Sequence, residues 1–163
     1  TIATVQIDFY SANRFDLAFT NNDGQKEKPV IIHRAIMGSF ERFFAFLIEQ
    51  YAGAFPTWLA PVQVTILPIS DTHNDYAKEI ENMLRSGGVH VVVNNSKETL
   101  GKKVREAKSS KIPYSIVIGN QEVEERTIAV ESRDEGKLGP MSVNIFLKKI
   151  QEEIMIRKGK SQV

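Results

Sequence analysis

Residues 62–94 read VQVTILPISDTHNDYAKEIENMLRSGGVHVVVN, and the reading of the fold turns on them. VQVTILPI is a nearly continuous apolar run, the pattern of a strand buried on both faces. NDYAKEIENMLRSGG is a helix, with Asn74 or Asp75 as its expected N-cap and Gly87 just past its end. VHVVVN is a second strand. Strand, helix and strand in succession predict an α/β domain around a largely parallel sheet.

Downstream the alternation continues. SKETLGKKVREAKSSK reads as a helix, PYSIVIG and RTIAVES as strands. SVNIFLKKIQEEIMIRK reads as a closing helix with Ile145, Phe146, Ile150, Ile154 and Met155 on one side. No crossover helix is expected before the QEVEERTIAVES region, so its strand is predicted to run antiparallel at a sheet edge. No internal repeat or low-complexity tract is present.

Upstream, residues 1–57 form a different piece, joined through the Pro-bounded connector FPTWLAP to a second domain at 58–163. TVQIDFY alternates as a strand, with Val5, Ile7 and Phe9 on one face and Thr4, Gln6 and Asp8 on the other. RFDLAFT is predicted as a second strand, NNDGQKEK as a hairpin turn and PVIIHRAIM as the returning strand. Gly38-Ser39 then opens a helix whose Phe40, Phe43, Phe44, Leu47, Ile48 and Tyr51 recur on one face, a face expected to be buried. An antiparallel strand-and-helix unit of this size buries too little to be stable alone.

The composition narrows the class. With 163 residues, 42% hydrophobic and 25% charged, the chain reads as globular. No apolar run approaches the ~20 residues that span a bilayer, so no membrane role is expected. The N-terminus lacks the basic region of a signal peptide and an initiator Met, and it opens in mid-strand, which predicts a piece of a longer protein. The absence of cysteine excludes disulfide and thiol chemistry and fits a cytoplasmic location. A formal charge of +1 gives no global attraction to nucleic acid. A local basic stretch stands out instead: between Lys97 and Lys111 six basic residues face two acidic ones, a net of +4. Lys102, Lys103, Arg105 and Lys108 there suit a phosphate backbone, or equally a solvated helix face with Lys102–Glu106 support.

Three further residues are candidates on their own chemistry. His33 lies in an apolar strand; a lone histidine there is more often structural than a ligand, and His73 and His90 stand at no ligand spacing to it. Arg42 sits in the early turns of the helix after Ser39, where backbone N–H groups and the dipole suit phosphate, although a solvated or ion-paired arginine fits as well. Gln6 shares its strand face with Thr4 and Asp8, a face that is either solvated or a site.

Taken together, TVQIDF, RFDLAF, KPVIIHRAIMGSFERF, YAGAFPTWLAPVQV, KIPYSIVIGNQEVEE and KLGPMSVNIFLKKIQEEI resemble threonyl-tRNA synthetase, in order and over essentially the whole chain. HRAIMGSFER is similar to that family's third class II signature motif, and FPTWLAPVQV to its join with the anticodon-binding domain. The resemblance implies a C-terminal remnant of a class II catalytic core, residues 1–57, followed by an α/β anticodon-binding domain with a mixed, mostly parallel sheet, residues 58–163. It implies that His33 is one of three ligands of a zinc ion that grips the amino group and hydroxyl of threonine. It places Arg42 along the adenine and phosphates of ATP, Gln6 in the amino-acid and adenylate pocket, and Ser39 near the nucleotide. Zn²⁺, ATP and Mg²⁺ are the implied cofactors, and threonine, its tRNA and a homodimer partner the implied associates. The other two zinc ligands and the first two signature motifs are absent from this chain, so the piece alone is expected to be inactive.

The resemblance also carries departures. Thr1-Ile2 stand where the family has a pair such as Trp-Gln, and Ser96 and Lys97 stand for an Arg-Asn pair. Glu131 stands where an anticodon-reading arginine is expected, whereas Arg133 and Glu122 keep the family's residues. Base reading is therefore expected of Glu122 and Arg133, with Lys102, Lys103 and Arg105 on phosphates. The rival reading is a non-catalytic, synthetase-like RNA-binding module.

Overall fold

The computed structural model describes residues 3–157 and Gly159. Thr1-Ile2 and Lys158, the expected last residue of the closing helix, lie outside the described residues. The chain divides into two compact units, Thr1–Gln50 and Tyr51–Val163. The boundary falls earlier than the sequence reading puts it because the connector is bonded into the second unit. The Arg133 guanidinium donates to the Phe55 carbonyl at 2.9 Å, and the Lys111 ammonium donates to that of Ala52.

In the first unit, β1 (Thr4–Asp8) pairs antiparallel with β4 (Ile31–Ala35), with Gln6 directly opposite His33. Asp8 ends β1 by accepting from the backbone N–H groups of Tyr10 and Ser11, at 2.8 and 2.9 Å, which turns the chain into the short helix α1 (Ser11–Arg14). That turn is why RFDLAFT does not form the strand its pattern predicts. Asp16 has φ of +49°, and only Phe19–Thr20 (β2) keeps a partner, Lys26–Glu27 (β3). Asn21 organises the hairpin turn by accepting from the N–H groups of Asp23 and Gln25.

Helix α2 (Phe40–Tyr51) follows, capped by Ser39, whose Oγ accepts from the Arg42 N–H at 3.3 Å. Its apolar face is not buried as expected. Phe40 is 74% exposed and Ile48 52%, and Ala12 is the one buried residue among those described in this unit. A two-stranded ribbon supplies no second apolar layer for such a helix to pack on.

The second unit is a five-stranded sheet in the order β6-β5-β7-β8-β9. β5 (Val64–Pro68) runs parallel to both β6 (Val91–Val93) and β7 (Tyr114–Ile118); β8 (Ile128–Ser132) and β9 (Gly136–Met141) are added antiparallel. Parallel and antiparallel pairings are thus equal in number. β8 is not the edge it is expected to be, because β9 covers it; the GKLGPM segment lacks the apolar alternation that announces a strand. The preceding residues form a short helix, α5 (Asn120–Glu125).

Helices α3 (Asn74–Ser86) and α6 (Val143–Met155) cover one sheet face. There Val64, Ile66, Tyr114, Ile116, Ile128 and Val130 meet Tyr76, Ile80, Leu84, Phe146 and Ile150 in one core. Asn74 and Asp75 lie inside the first turn of α3; the capping interaction falls earlier, between Ser70 and His73. The α6 stripe is also rotated from the expected one, since Val143, Phe146 and Ile150 are buried while Ile145 and Met155 are exposed. The two helices approach closely at Gly87, where a Cβ would stand 2.5 Å from Leu147. Helix α4 (Leu100–Ser109) packs against β5 and supplies no residue to that core. It lies on the other face, beside Thr65, Val117, Ala129 and Glu131, and leaves the β7–β8–β9 side of that face uncovered.

Candidate nucleic-acid interface

The uncovered face forms a groove of about 540 Å³. Leu100 and Val104 of α4 make its wall, Val117 and Ala129 its floor, and Lys108 and Glu131 meet across it. The Lys108 ammonium lies 2.8 Å from Glu131 Oε1, with the Glu131 side chain 19% exposed. Glu131 sits at a β-bulge between β8 and β9, opposite Lys137, and both line the groove. An apolar slot with a carboxylate and ammonium groups at its rim offers a flat surface to an unstacked base. It also offers an acceptor to amino or imino groups and donors to keto or phosphate oxygens.

The expected site residues fare differently. Lys102 and Arg105 project from the exposed side of α4. Lys102 pairs with Glu98 at 2.8 Å rather than with Glu106, and this neighbour raises its pKa. The Arg105 side chain has no ion pair among the described residues. Lys103 does not join them: it is 4% exposed, and its ammonium donates to the Pro68 carbonyl at 2.9 Å. It fastens α4 to the end of β5 and does not face outward to a phosphate.

Arg133 is likewise occupied. One terminal nitrogen donates to the carbonyls of Phe55 and Lys111, at 2.9 and 2.8 Å, while the rest of the guanidinium faces the Asp134 carboxylate. Its fork is spent on the chain's own backbone, not held out to a base. Glu122 closes the first turn of α5, its Oε2 accepting from the Gly119 N–H at 2.8 Å. Lys108, expected only among the phosphate contacts, lines the groove and meets Glu131 across it. Its pairing with Glu131 joins a helix to a strand two elements later, and no local pattern announces that.

In the first unit, Gln6 and His33 face the same side of the β1–β4 ribbon, and Asp8 stands beside them. His33 Nε2 lies 3.1 Å from Asp8 Oδ2. The Asp8 carboxyl is held well below the usual carboxylate range, mainly by the Ser11 hydroxyl and then by the Ser11 N–H, His33 and the Tyr10 N–H. Arg42 is exposed in the first turn of α2. No group of three potential metal ligands occurs among the described residues. The donor chemistry of His33 nevertheless fits a zinc site: one ring nitrogen is tied to a carboxylate, and the other makes no hydrogen bond among the described residues. His33 would be one ligand, with the others supplied from outside this chain. No helix among the described residues is long and apolar enough to cross a membrane.

Comparison with known proteins agrees with this architecture. The family described as Anticodon binding domain matches residues 63–153. The threonine–tRNA ligase of Clostridium botulinum (strain Loch Maree / Type A3) is 48% identical over 154 residues, 94% of this chain and 24% of that protein. The ligase of Acetivibrio thermocellus is 50% identical over 151 residues, 93% of this chain and 24% of its own. A crystal structure described as the RNA binding domain of threonyl-tRNA synthetase from Cryptosporidium parvum Iowa II superimposes with a TM-score of 0.75 at 31% identity. That match covers 99% of this chain and 40% of the other. The chain thus spans about a quarter of the length of the curated relatives it matches. With residues 63–153 matched by that family and nearly all of its length aligned with these ligases, the chain belongs to the anticodon binding domain family, in the form found in threonine–tRNA ligases.

Proposed function

We propose that the chain is the part of a threonine–tRNA ligase that holds the end of the catalytic core and the anticodon-binding domain, and that the groove between α4 and β8–β9 receives the anticodon loop. The observation that carries this reading is the groove itself, apolar inside and rimmed by Lys108, Glu131 and Lys137, within the residues matched by the anticodon binding domain family. Lys102 and Arg105 on the same helix approach the RNA backbone, where they add affinity without reading sequence.

The whole enzyme would activate threonine with ATP and pass it to tRNA(Thr), acting as a homodimer in the cytoplasm. In that reaction the threonine carboxylate would bond to the α-phosphorus of ATP as the bond to the departing pyrophosphate breaks; a bound Mg²⁺ would supply positive charge, beside arginines, for the phosphate oxygens on which charge develops. Arg42 would lie along the nucleotide, where a planar guanidinium both stacks and pairs. Ser39 fixes the start of the helix that carries it. Gln6 would face the amino acid, and His33 would be one of three zinc ligands. A bound zinc supplies an electrophile that demands the hydroxyl valine lacks, a discrimination that an apolar pocket alone makes poorly.

Titrating the chain with an anticodon stem-loop bearing a threonine anticodon, and with the same loop carrying altered anticodon bases, tests the proposal. Tighter binding of the threonine loop is expected; equal affinity for both overturns it. The second reading, an RNA-binding module without catalysis, draws on Glu131, a carboxylate where the resemblance expects an anticodon-reading arginine and here paired with Lys108. Threonine-dependent ATP–pyrophosphate exchange by the longer protein separates the two.

A further inference from the structure

We infer that Asp8 positions His33 for metal binding, by accepting the Nε2–H of its ring and leaving Nδ1 as the coordinating atom. The inference rests on the reading of His33 as a zinc ligand. A neutral imidazole carries one N–H and one lone pair, and the partner of one nitrogen decides which atom remains free to ligate.

The geometry supplies that partner in a fixed place. Gln6 and His33 are opposite one another in the β1–β4 pair, and Asp8 is two residues further along the same face of β1. Its Oδ1 is held by two backbone N–H groups, those of Tyr10 at 2.8 Å and Ser11 at 2.9 Å. Its Oδ2 accepts from the Ser11 hydroxyl and faces His33 Nε2 at 3.1 Å. Three donors from one turn therefore aim the remaining acceptor capacity of the carboxylate at a single ring nitrogen. The Asp8 side chain is 15% exposed and that of His33 55%, so the carboxylate is sheltered while the ring stays open toward an incoming ion. A carboxylate behind a histidine is the arrangement that orients metal-ligating imidazoles in general and raises their basicity.

Holding the turn after β1 alone would need only Oδ1. The two roles separate in Asp8→Asn. The amide oxygen keeps the Oδ1 place, because two backbone N–H groups require an acceptor there. The Nδ2 group then occupies the Oδ2 place and donates. The turn survives, but the polarity toward His33 reverses, and the ring must carry its proton on Nδ1.

Ring ¹⁵N NMR of His33 in this 163-residue chain, at a pH where the imidazole is neutral, reads the tautomer directly. The expected result is a proton on Nε2 in the parent chain and on Nδ1 in Asp8→Asn, with β1 and β4 backbone signals reporting an unchanged pairing. A proton on Nδ1 in the parent chain overturns the inference without recourse to any variant. So does an unchanged tautomer in Asp8→Asn with the pairing intact. In the full ligase, chelator competition should show zinc held about 10–100-fold more weakly after Asp8→Asn. A tautomer that switches with no loss of zinc affinity removes the positioning role. A parent ligase that holds no zinc overturns the reading of His33 on which the inference rests.

Discussion

Lys108 and Glu131 bridge the groove on the open face of the second unit, ammonium to carboxylate at 2.8 Å, one from helix α4 and the other from strand β8. The pair gives the groove a charge pattern that neither element has alone. The carboxylate lowers the field an RNA phosphate would meet, and the ammonium occupies an acceptor that a base edge would otherwise find free.

Changing Glu131 to arginine removes that acceptor and places two cations side by side. Affinity for an anticodon stem-loop should rise at low salt, and the slope of log affinity against log salt should steepen by about one. The anticodon preference should change, because the carboxylate no longer accepts from base amino groups. Titrations of both forms at low and high salt measure this. Unchanged affinity and preference would mean that this strand does not face the anticodon.

Lys103 and Arg105, two positions apart on α4, should separate cleanly. Lys103→Met leaves the Pro68 carbonyl without its donor in a buried place and should cost about 1–3 kcal/mol of stability. Its salt slope for RNA should stay at the parent value. Arg105→Ala should leave stability within about 0.5 kcal/mol and lower the salt slope by about one. Urea unfolding and RNA titration on each variant decide the assignment.

Arg133 should behave as a structural residue rather than a reader of bases. Arg133→Ala removes the donors to the Phe55 and Lys111 carbonyls and should destabilise the second unit by at least about 2 kcal/mol. Anticodon preference should be unaffected wherever the variant is folded. A loss of preference at unchanged stability would return Arg133 to the reading surface.

Tyr114 carries a pH prediction. Its buried hydroxyl donates to Glu153 Oε2 at 2.7 Å. Burial first, and then the hydrogen bond and charge of Glu153, push its pKa above the ordinary value of 10.0. Below about pH 10 both the folded and unfolded chains keep the phenol protonated, and the contribution is complete. Above it the unfolded chain releases a proton that the folded one retains, so stability falls as pH rises. Tyr114→Phe should flatten that alkaline limb. It should also cost about 1–3 kcal/mol at neutral pH, since Glu153 is 1% exposed and loses its donor. Denaturant midpoints measured from pH 7 to 11 on both forms test the sign and the size.

Much of the fold was legible in the residues because its cause is local. The apolar run at 64–68 and the helix stopping at Gly87 each depend on neighbours a few positions away. The α/β class followed from the order of the elements, whereas the hairpin at Gly24 and the start of α2 at Ser39 were legible from their own turn residues. The misreadings share another cause. Helical spacing showed that α2 has an apolar face but not whether this chain contains anything to cover it. The β9 strand takes its place by pairing with β8, not from any alternation of its own.

Charged side chains lie furthest from what a sequence can decide. Lys102, Lys103, Arg105 and Arg133 have similar chemistry in the sequence, and the tertiary structure gives each a different fate. Lys102 is paired on the surface, Arg105 projects outward, and Lys103 and Arg133 are spent on carbonyls of the chain itself. The physical reason is that a long cation bonds to whatever acceptor folding brings within about 3 Å. For Lys103 that acceptor is 35 positions away, and for Arg133 it is 78. Residue type and local periodicity determined the elements and the family pattern. Only the packing of those elements determined which charges remain for a ligand.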